Sequence, residues 1–190
     1  MDVTVHAFTN RANGLADVLI SDIFVSPALT PSDNFEPKQF KALWDTGATN
    51  SVVTHRVAKE CGLVPTGVVK VQLVGKEDLR NTYMVAIGLP NRVIFPGVKV
   101  TDADSNGGAD VLIGMDIINQ GDLAVTHGDG NTCLSFRVPS VEVIDFSGSH
   151  RLPKGAKEVR PGQDKPKGPQ INKPAKSSKK TRAEKRKKKK

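Results

Sequence analysis

The chain has 190 residues, of which 37% are hydrophobic and 5% aromatic, and carries a formal net charge of +8. That length suits one domain of ordinary size with something added; no run of about 18 apolar residues is available to span a membrane, and the 2 cysteines make no disulfide framework. The charge is uneven: residues 149–190 hold 17 Lys and Arg against 3 Asp and Glu, which leaves 11 against 17 in residues 1–148, so only the first part has the composition of a folded body.

The opening stretch MDVTVHAFTN has neither the basic flank nor the apolar core of a secretory signal, which predicts a soluble, intracellular, cytoplasmic protein. Short runs rich in β-branched residues follow: VTVHAF (3–8), LADVLISDIFV (15–25) and KALW (41–44). Their lengths and turn-rich borders predict strands. THRVAKECGL (54–63) predicts a helix instead, with Thr54 as N-cap, Val57, Ala58 and Cys61 at helical spacing, and Gly62 as a left-handed stop. Strands resume in VVKVQLV (68–74), TYMVAIGL (82–89) and RVIFPGVKV (92–100), the first two forming a hairpin with its predicted tip at GKEDLRN (75–81). DVLIGMDII (110–118) predicts a strand that passes into a short helix near Gly114, stopped by Gly121, with Asp116 favoured in its first turn. LAVTH (123–127) and CLSFRVP (133–139) predict a last hairpin around Asp129-Gly130, a favoured two-residue loop. The expectation is an all-β domain with one or two short helices.

The stretch ALWDTGATNSVV (42–53) places a carboxylate, Asp45, where an apolar strand meets a tight turn. Gly47 lets the main chain approach that acid closely, since a Cβ would obstruct it. The Thr46 hydroxyl is short enough to bond a neighbouring backbone and to fix the turn against a second copy of itself. Taken alone, the triplet has a plainer reading, a carboxylate capping its own turn at a strand end. The context adds specificity: a capped helix follows, and Leu112-Ile113-Gly114 leads into MDII some sixty residues later.

These pieces, together with YMVAIGL and VIFPGVKV, resemble the retroviral-type aspartic proteases, the retropepsins, and especially their single-domain cellular and bacterial relatives. The resemblance covers approximately Val3 to Pro139 and implies a half-barrel fold. By that resemblance Asp45 is the catalytic aspartate, Thr46 the residue that cross-links two active-site loops, Gly47 the close-approach glycine, and Ala48 part of the same loop. Leu112, Ile113 and Gly114 are similar to the segment that threads beneath the loop, and Val74 and Gly75 fall in the flap over the substrate. Because the chain has one D-T-G, the resemblance implies a homodimer with two Asp45 carboxylates facing across a two-fold axis. Carboxylates that close share a proton. The ionised one serves as general base on a water, and the protonated one polarises the peptide carbonyl. The resemblance implies a protein or peptide substrate, no metal and no cofactor, and terminal strands (Val3 to Phe8, Ser135 to Val138) that interlock between copies. The charged flap tip departs from the glycine-rich tips of the viral enzymes.

Other signals carry less. DADSNGGAD (102–110) starts like a calcium loop, but Ile113 stands where the bidentate Glu belongs, so a polar turn between strands is expected. His6, His55, His127 and His150 are scattered without ligand spacing. Cys61 and Cys133 fit as small buried apolar residues. Ser51 lacks the setting of a serine nucleophile. Residues 149–190 read as a disordered Lys/Arg-rich extension beyond a domain at 1–148. Such a tail is able to bind nucleic acid or an acidic surface without sequence preference; it has no aromatic residue after Phe146 to stack on bases. Two other functions stay open: a catalytically weak or inactive dimer serving as a scaffold, and a nucleic-acid-binding protein with an incidental D-T-G turn.

Overall fold

The computed structural model describes residues 4–29, 36–73 and 76–146. Chain contacts divide the molecule into Met1–Ile144 and Asp145–Lys190. Of the second unit only Asp145 and Phe146 are described, so the expected basic extension lies outside the described residues, as do Val74 and Gly75.

The first unit is built from strands β1 (His6–Arg11), β2 (Ile20–Pro27), β3 (Lys38–Trp44) and β4 (Val52–Thr54), then helix α1 (His55–Glu60). Strands β5 (Gly67–Leu73), β6 (Lys76–Gly88), β7 (Ile94–Ala103) and β8 (Val111–Ile113) follow, then helix α2 (Met115–Ile118) and strands β9 (Asp122–Thr126) and β10 (Cys133–Val138). Seven strands form one sheet in the order β2-β3-β8-β4-β7-β6-β5, and β2 also pairs with β6, which curls the sheet onto itself. A smaller sheet has the order β1-β10-β9. The all-β expectation with two short helices holds. Among the described residues no helix is long and apolar enough to cross a membrane.

Alternation sets the faces. In β3, Phe40, Ala42 and Trp44 are buried while Lys41 is exposed, the period of two that a half-covered strand requires. Trp44 joins the two sheets: its ring lies 4.9 Å from Phe136 on β10 and 5.8 Å from Phe8 on β1. The buried indole N–H donates to Ser21 Oγ at 2.9 Å, so its polar atom is satisfied. An aromatic cluster thus underlies the turn that begins at Asp45.

The predicted helix at 54–63 is α1, with Thr54 Oγ1 accepting from Val57 N. It ends in paired bonds, Leu63 N–H to Ala58 O at 2.9 Å and Gly62 N–H to Lys59 O at 3.2 Å, with Gly62 at φ +62°. Gly62 adopts its left-handed φ without a Cβ penalty, and that turn lets its own N–H and that of Leu63 satisfy the two carbonyls.

Two expectations change. The tip of the central hairpin is not 75–81: the β5–β6 ladder runs from Gly67↔Thr82 to Leu73↔Lys76, so Lys76 to Asn81 are strand residues. Cross-strand charge supports this, since Lys70 of β5 pairs with Glu77 of β6. The last hairpin is not closed by two residues at Asp129-Gly130, because the β9–β10 ladder stops at Thr126↔Cys133. Gly130 N–H bonds His127 O, and the Asp129 carboxylate bonds Asn131 N, inside a longer loop. The terminal strands β1 and β10 pair antiparallel within the chain, from His6↔Val138 to Arg11↔Cys133, with β1 at the edge of its sheet.

Candidate active site

Strand β3 delivers Asp45 to the D-T-G turn. Its backbone N–H donates to Ile113 O at 3.0 Å, and its carbonyl accepts from Ala48 N at 3.3 Å. One carboxylate oxygen, Oδ1, accepts from Gly47 N at 2.8 Å. The other takes no hydrogen bond among the described residues, and the side chain is half-buried at the sheet's end. Gly47 has the role the sequence suggests: a Cβ there would stand 3.1 Å from Asp45 Oδ1. Thr46 is exposed, and its hydroxyl bonds no neighbouring backbone among the described residues, contrary to one sequence expectation.

Leu112-Ile113-Gly114 runs between the two arms of this turn. β8 pairs parallel with β3 (Trp44↔Ile113) and antiparallel with β4 (Val52↔Leu112). Beyond it, Met115 N–H donates to Ala48 O at 2.8 Å and Asp116 N–H to Thr49 O at 3.1 Å, so the start of α2 is strapped to the loop. No other residue fits at Gly114. A Cβ there would lie 2.7 Å from the Asn50 carbonyl carbon and 3.0 Å from Ala48 O, both main-chain atoms with no freedom to step aside.

Sequence reasoning missed one pair. Ser51 is fully buried; its N–H and its hydroxyl both donate to Asp116, at 2.9 and 2.8 Å, and its Oγ accepts Gly114 N–H at 3.1 Å. Asp116 does accept from Ile117 N at 3.0 Å in the first turn of α2, as expected, but its main partner is across the loop. A buried serine beside an acid in the short helix was the available signal, and its place in a turn made it look incidental.

The face beside the carboxylate is apolar. Leu43, Leu112 and Val52 are half-buried register neighbours on three adjacent strands. Two residues beyond Leu43, Asp45 emerges on that same side.

Asp102 is buried and its oxygens accept from Asn81 N, Asn81 Nδ2 and the Tyr83 hydroxyl. Among the described residues no three His, Cys, Asp or Glu side chains form a metal-binding group. Cys61 is half-buried with its thiol near Val25 O, and burial pushes its pKa up, as suits a structural cysteine.

Residues 34–120 match the family described as "gag-polyprotein putative aspartyl protease". None of the curated proteins compared with the chain matches it. Among solved structures, the chain is similar to a retropepsin-like aspartic protease from Rickettsia conorii at 14% identity and TM-score 0.48, over 71% of this chain and 96% of that one. The EIAV protease in complex with the inhibitor HBY-793 matches at 17% identity and TM-score 0.41, over 56% and 90% of the two chains. The retroviral protease-like domain of Ddi1 from Leishmania major matches at 18% identity and TM-score 0.34, over 60% and 91%.

Proposed function

We propose that the chain, whose residues 34–120 match the gag-polyprotein putative aspartyl protease family, folds as a retropepsin-like aspartic endopeptidase whose site is completed by a second copy of itself. The observation that carries this reading is the D-T-G turn itself. Asp45 is half-buried at a strand end, one oxygen is pinned by Gly47 N at 2.8 Å, and the loop is clamped from below by the threaded segment through Gly114.

Two such turns related by a two-fold axis bring two carboxylates together. They share one proton, because like charges that close do not both ionise. The ionised partner takes a proton from a water as it attacks the peptide carbonyl; the protonated one donates to the carbonyl oxygen as negative charge develops there. Thr46, exposed and without a hydrogen bond among the described residues, is available to meet the opposite loop. Extended peptides add to the site as a strand, covered by the β5–β6 hairpin, in which Val74 and Gly75 are the flap residues. Leu43, Leu112 and Val52 favour an apolar side chain next to the scissile bond.

The domain ends near residue 148, and the 17 Lys and Arg beyond it supply salt-sensitive attachment to nucleic acid or another acidic surface. The cytoplasm is the compartment that suits two unpaired thiols. A second reading, a catalytically weak dimer that acts as a scaffold, is favoured by one observation: the hairpin carries paired charges, Lys70 with Glu77 and Arg80 with Asp78.

Cleavage of a degenerate peptide library by wild type and by Asp45→Asn, between pH 4 and 7 with dimerisation followed in parallel, separates the two. Cleavage by wild type alone supports the protease. No cleavage from a well-formed wild-type dimer overturns it in favour of the scaffold.

A further inference from the structure

The small sheet β1-β10-β9 has two outer edges, and the molecule treats them differently. On β1, the His6 carbonyl accepts from Asn91 Nδ2 at 2.8 Å, and Asn10 Nδ2 donates to Ile20 O at 2.6 Å, so this edge is tied to β2 and to the turn between β6 and β7. Strand β9 has no such cover. Among the described residues, the main chain from Leu123 to Thr126 bonds β10 and no other element. Alternate residues of a strand turn their N–H and C=O to opposite sides, so those of every second residue of β9 face outward unpaired.

An open edge is a template for another chain, and proteins that guard one place Lys, Pro or a bulge there. DLAVT has none of these, and its ladder runs in unbroken register from Thr126↔Cys133 to Asp122↔Arg137. Its one charge, Asp122, is held by Arg137 and Ser140. Gly121 lets the strand enter pressed against β10, since a Cβ there would lie 1.9 Å from Arg137 O.

The two faces of β9 fit a second copy of the same strand. Leu123 and Val125 share the face of Phe136 and Leu134, and Val125 is left 38% exposed. Ala124 lies on the other face beside Ser135, whose hydroxyl meets that of Thr9 in an exposed hydrogen bond. Antiparallel pairing of β9 with itself about a two-fold axis at Ala124 sets Leu123 against the other copy's Val125 twice over, and it puts the smallest side chain of the strand on the axis. The strand is also coupled to the D-T-G turn. Leu123 is opposite Phe136, whose ring is 4.9 Å from Trp44, and Asp45 follows Trp44. At its other end β9 continues from α2, which is strapped to the loop through Met115 N–H and Ala48 O.

We propose that β9 is the seam of the dimer: two copies join edge to edge there and form one continuous sheet, three strands from each, beneath both Asp45 turns. The proposal rests on the reading that the site needs two copies, and it names the surface that brings them together. β1 and β10, already paired with each other, lend no strand to the second copy.

The test is sedimentation of the full chain over a range of concentrations, for wild type, Ala124→Asp, Ala124→Lys, an equal mixture of those two, and Ala7→Asp on the exposed opposite edge. Residue 124 is on the polar face, so near-UV circular dichroism of Trp44 should show each variant folded. Wild type is expected to dimerise. Each Ala124 variant alone sets like charges against each other at the axis, and its dimer Kd should rise about tenfold or more. The mixture sets Asp against Lys and should recover association, while Ala7→Asp should dimerise as wild type does. A monomeric wild type, normal dimers from the single Ala124 variants, a mixture that stays monomeric, or loss of the dimer in Ala7→Asp overturns the seam. Peptide hydrolysis on the same samples separates the seam from the protease reading: cleavage lost in each Ala124 variant and regained in the mixture joins the two. Dimerisation that follows the charges at 124 without cleavage in any sample upholds the seam and rejects the protease. Cleavage that persists in both variants with the dimer intact rejects the seam and leaves the protease standing.

Discussion

Ser51 and Asp116, 65 positions apart, meet at 2.8 Å between hydroxyl and carboxylate, while the same hydroxyl receives the Gly114 N–H at 3.1 Å. One buried oxygen thus ties the D-T-G loop to the threaded segment and to α2. Ser51→Ala removes a donor from Asp116 and the acceptor of Gly114 N–H together, leaving a buried backbone N–H unpaired. The cost should be about 1–3 kcal/mol, read from urea unfolding, with kcat reduced because the loop carrying Asp45 loses its clamp. An unchanged unfolding midpoint would remove this pair from the account of the site.

Gly114→Ala should be worse than its small size suggests. The new methyl would stand 2.7 Å from the Asn50 carbonyl carbon and 2.8 Å from its oxygen, and both are main chain. Relief requires moving the loop itself, an overpacking cost of about 1–3 kcal/mol. Gly128→Ala, where nothing lies within 4 Å of the added carbon, serves as the control. Equal stability of the two variants by thermal unfolding would contradict the close approach.

Much of this architecture is legible in the residues because local and tertiary signals agree there. Thr54, Val57 and Gly62 specify a helix start, face and stop, and α1 obeys all three. Asp45, Gly47 and Leu112 to Gly114 are recognisable because the turn and the strand threaded between its arms admit few residue types. What escaped depends on partners distant in sequence. Lys76 to Asn81 look like a loop, being charged, yet they pair as a strand with Lys70 and its neighbours opposite. Asp129-Gly130 has tight-turn chemistry, but the β9–β10 ladder ends earlier, where Thr132 is drawn away to bond Gly14 O and Ala16 N. Nothing in HAFTNR alone says that it will pair with CLSFRV of its own chain.

Asp122 anchors the chain just after β10. Ser140 Oγ, the Val141 N–H and Arg137 all donate to its carboxylate, and they hold its pKa well below the usual range, the serine hydroxyl contributing most. A folded-state pKa lowered in this way contributes stability above the unfolded value of about 3.9, and that contribution is lost as pH falls toward the folded value. Asp122→Asn should therefore lower Tm at pH 5–7, with the gap from wild type closing as pH drops below about 4. A gap independent of pH would show that the side chain acts through packing alone.

Leu112 offers a test of specificity that leaves the catalytic groups untouched. It lies between Leu43 and Val52 across three strands, half-buried, on the side where Asp45 emerges. Its neighbours in β8, Val111 and Ile113, are fully buried and carry the core instead. Leu112→Val removes one methylene from the proposed substrate wall and little from the interior. Discrimination by a single methylene in an apolar pocket amounts to roughly tenfold or somewhat more. The ratio of kcat/KM for a peptide with Phe at the scissile bond to one with Leu should accordingly rise about tenfold, with Tm nearly unchanged. If both peptides lose activity equally, Leu112 supports the Asp45 loop and does not touch the substrate; if the ratio shifts, the apolar row forms part of the binding cleft.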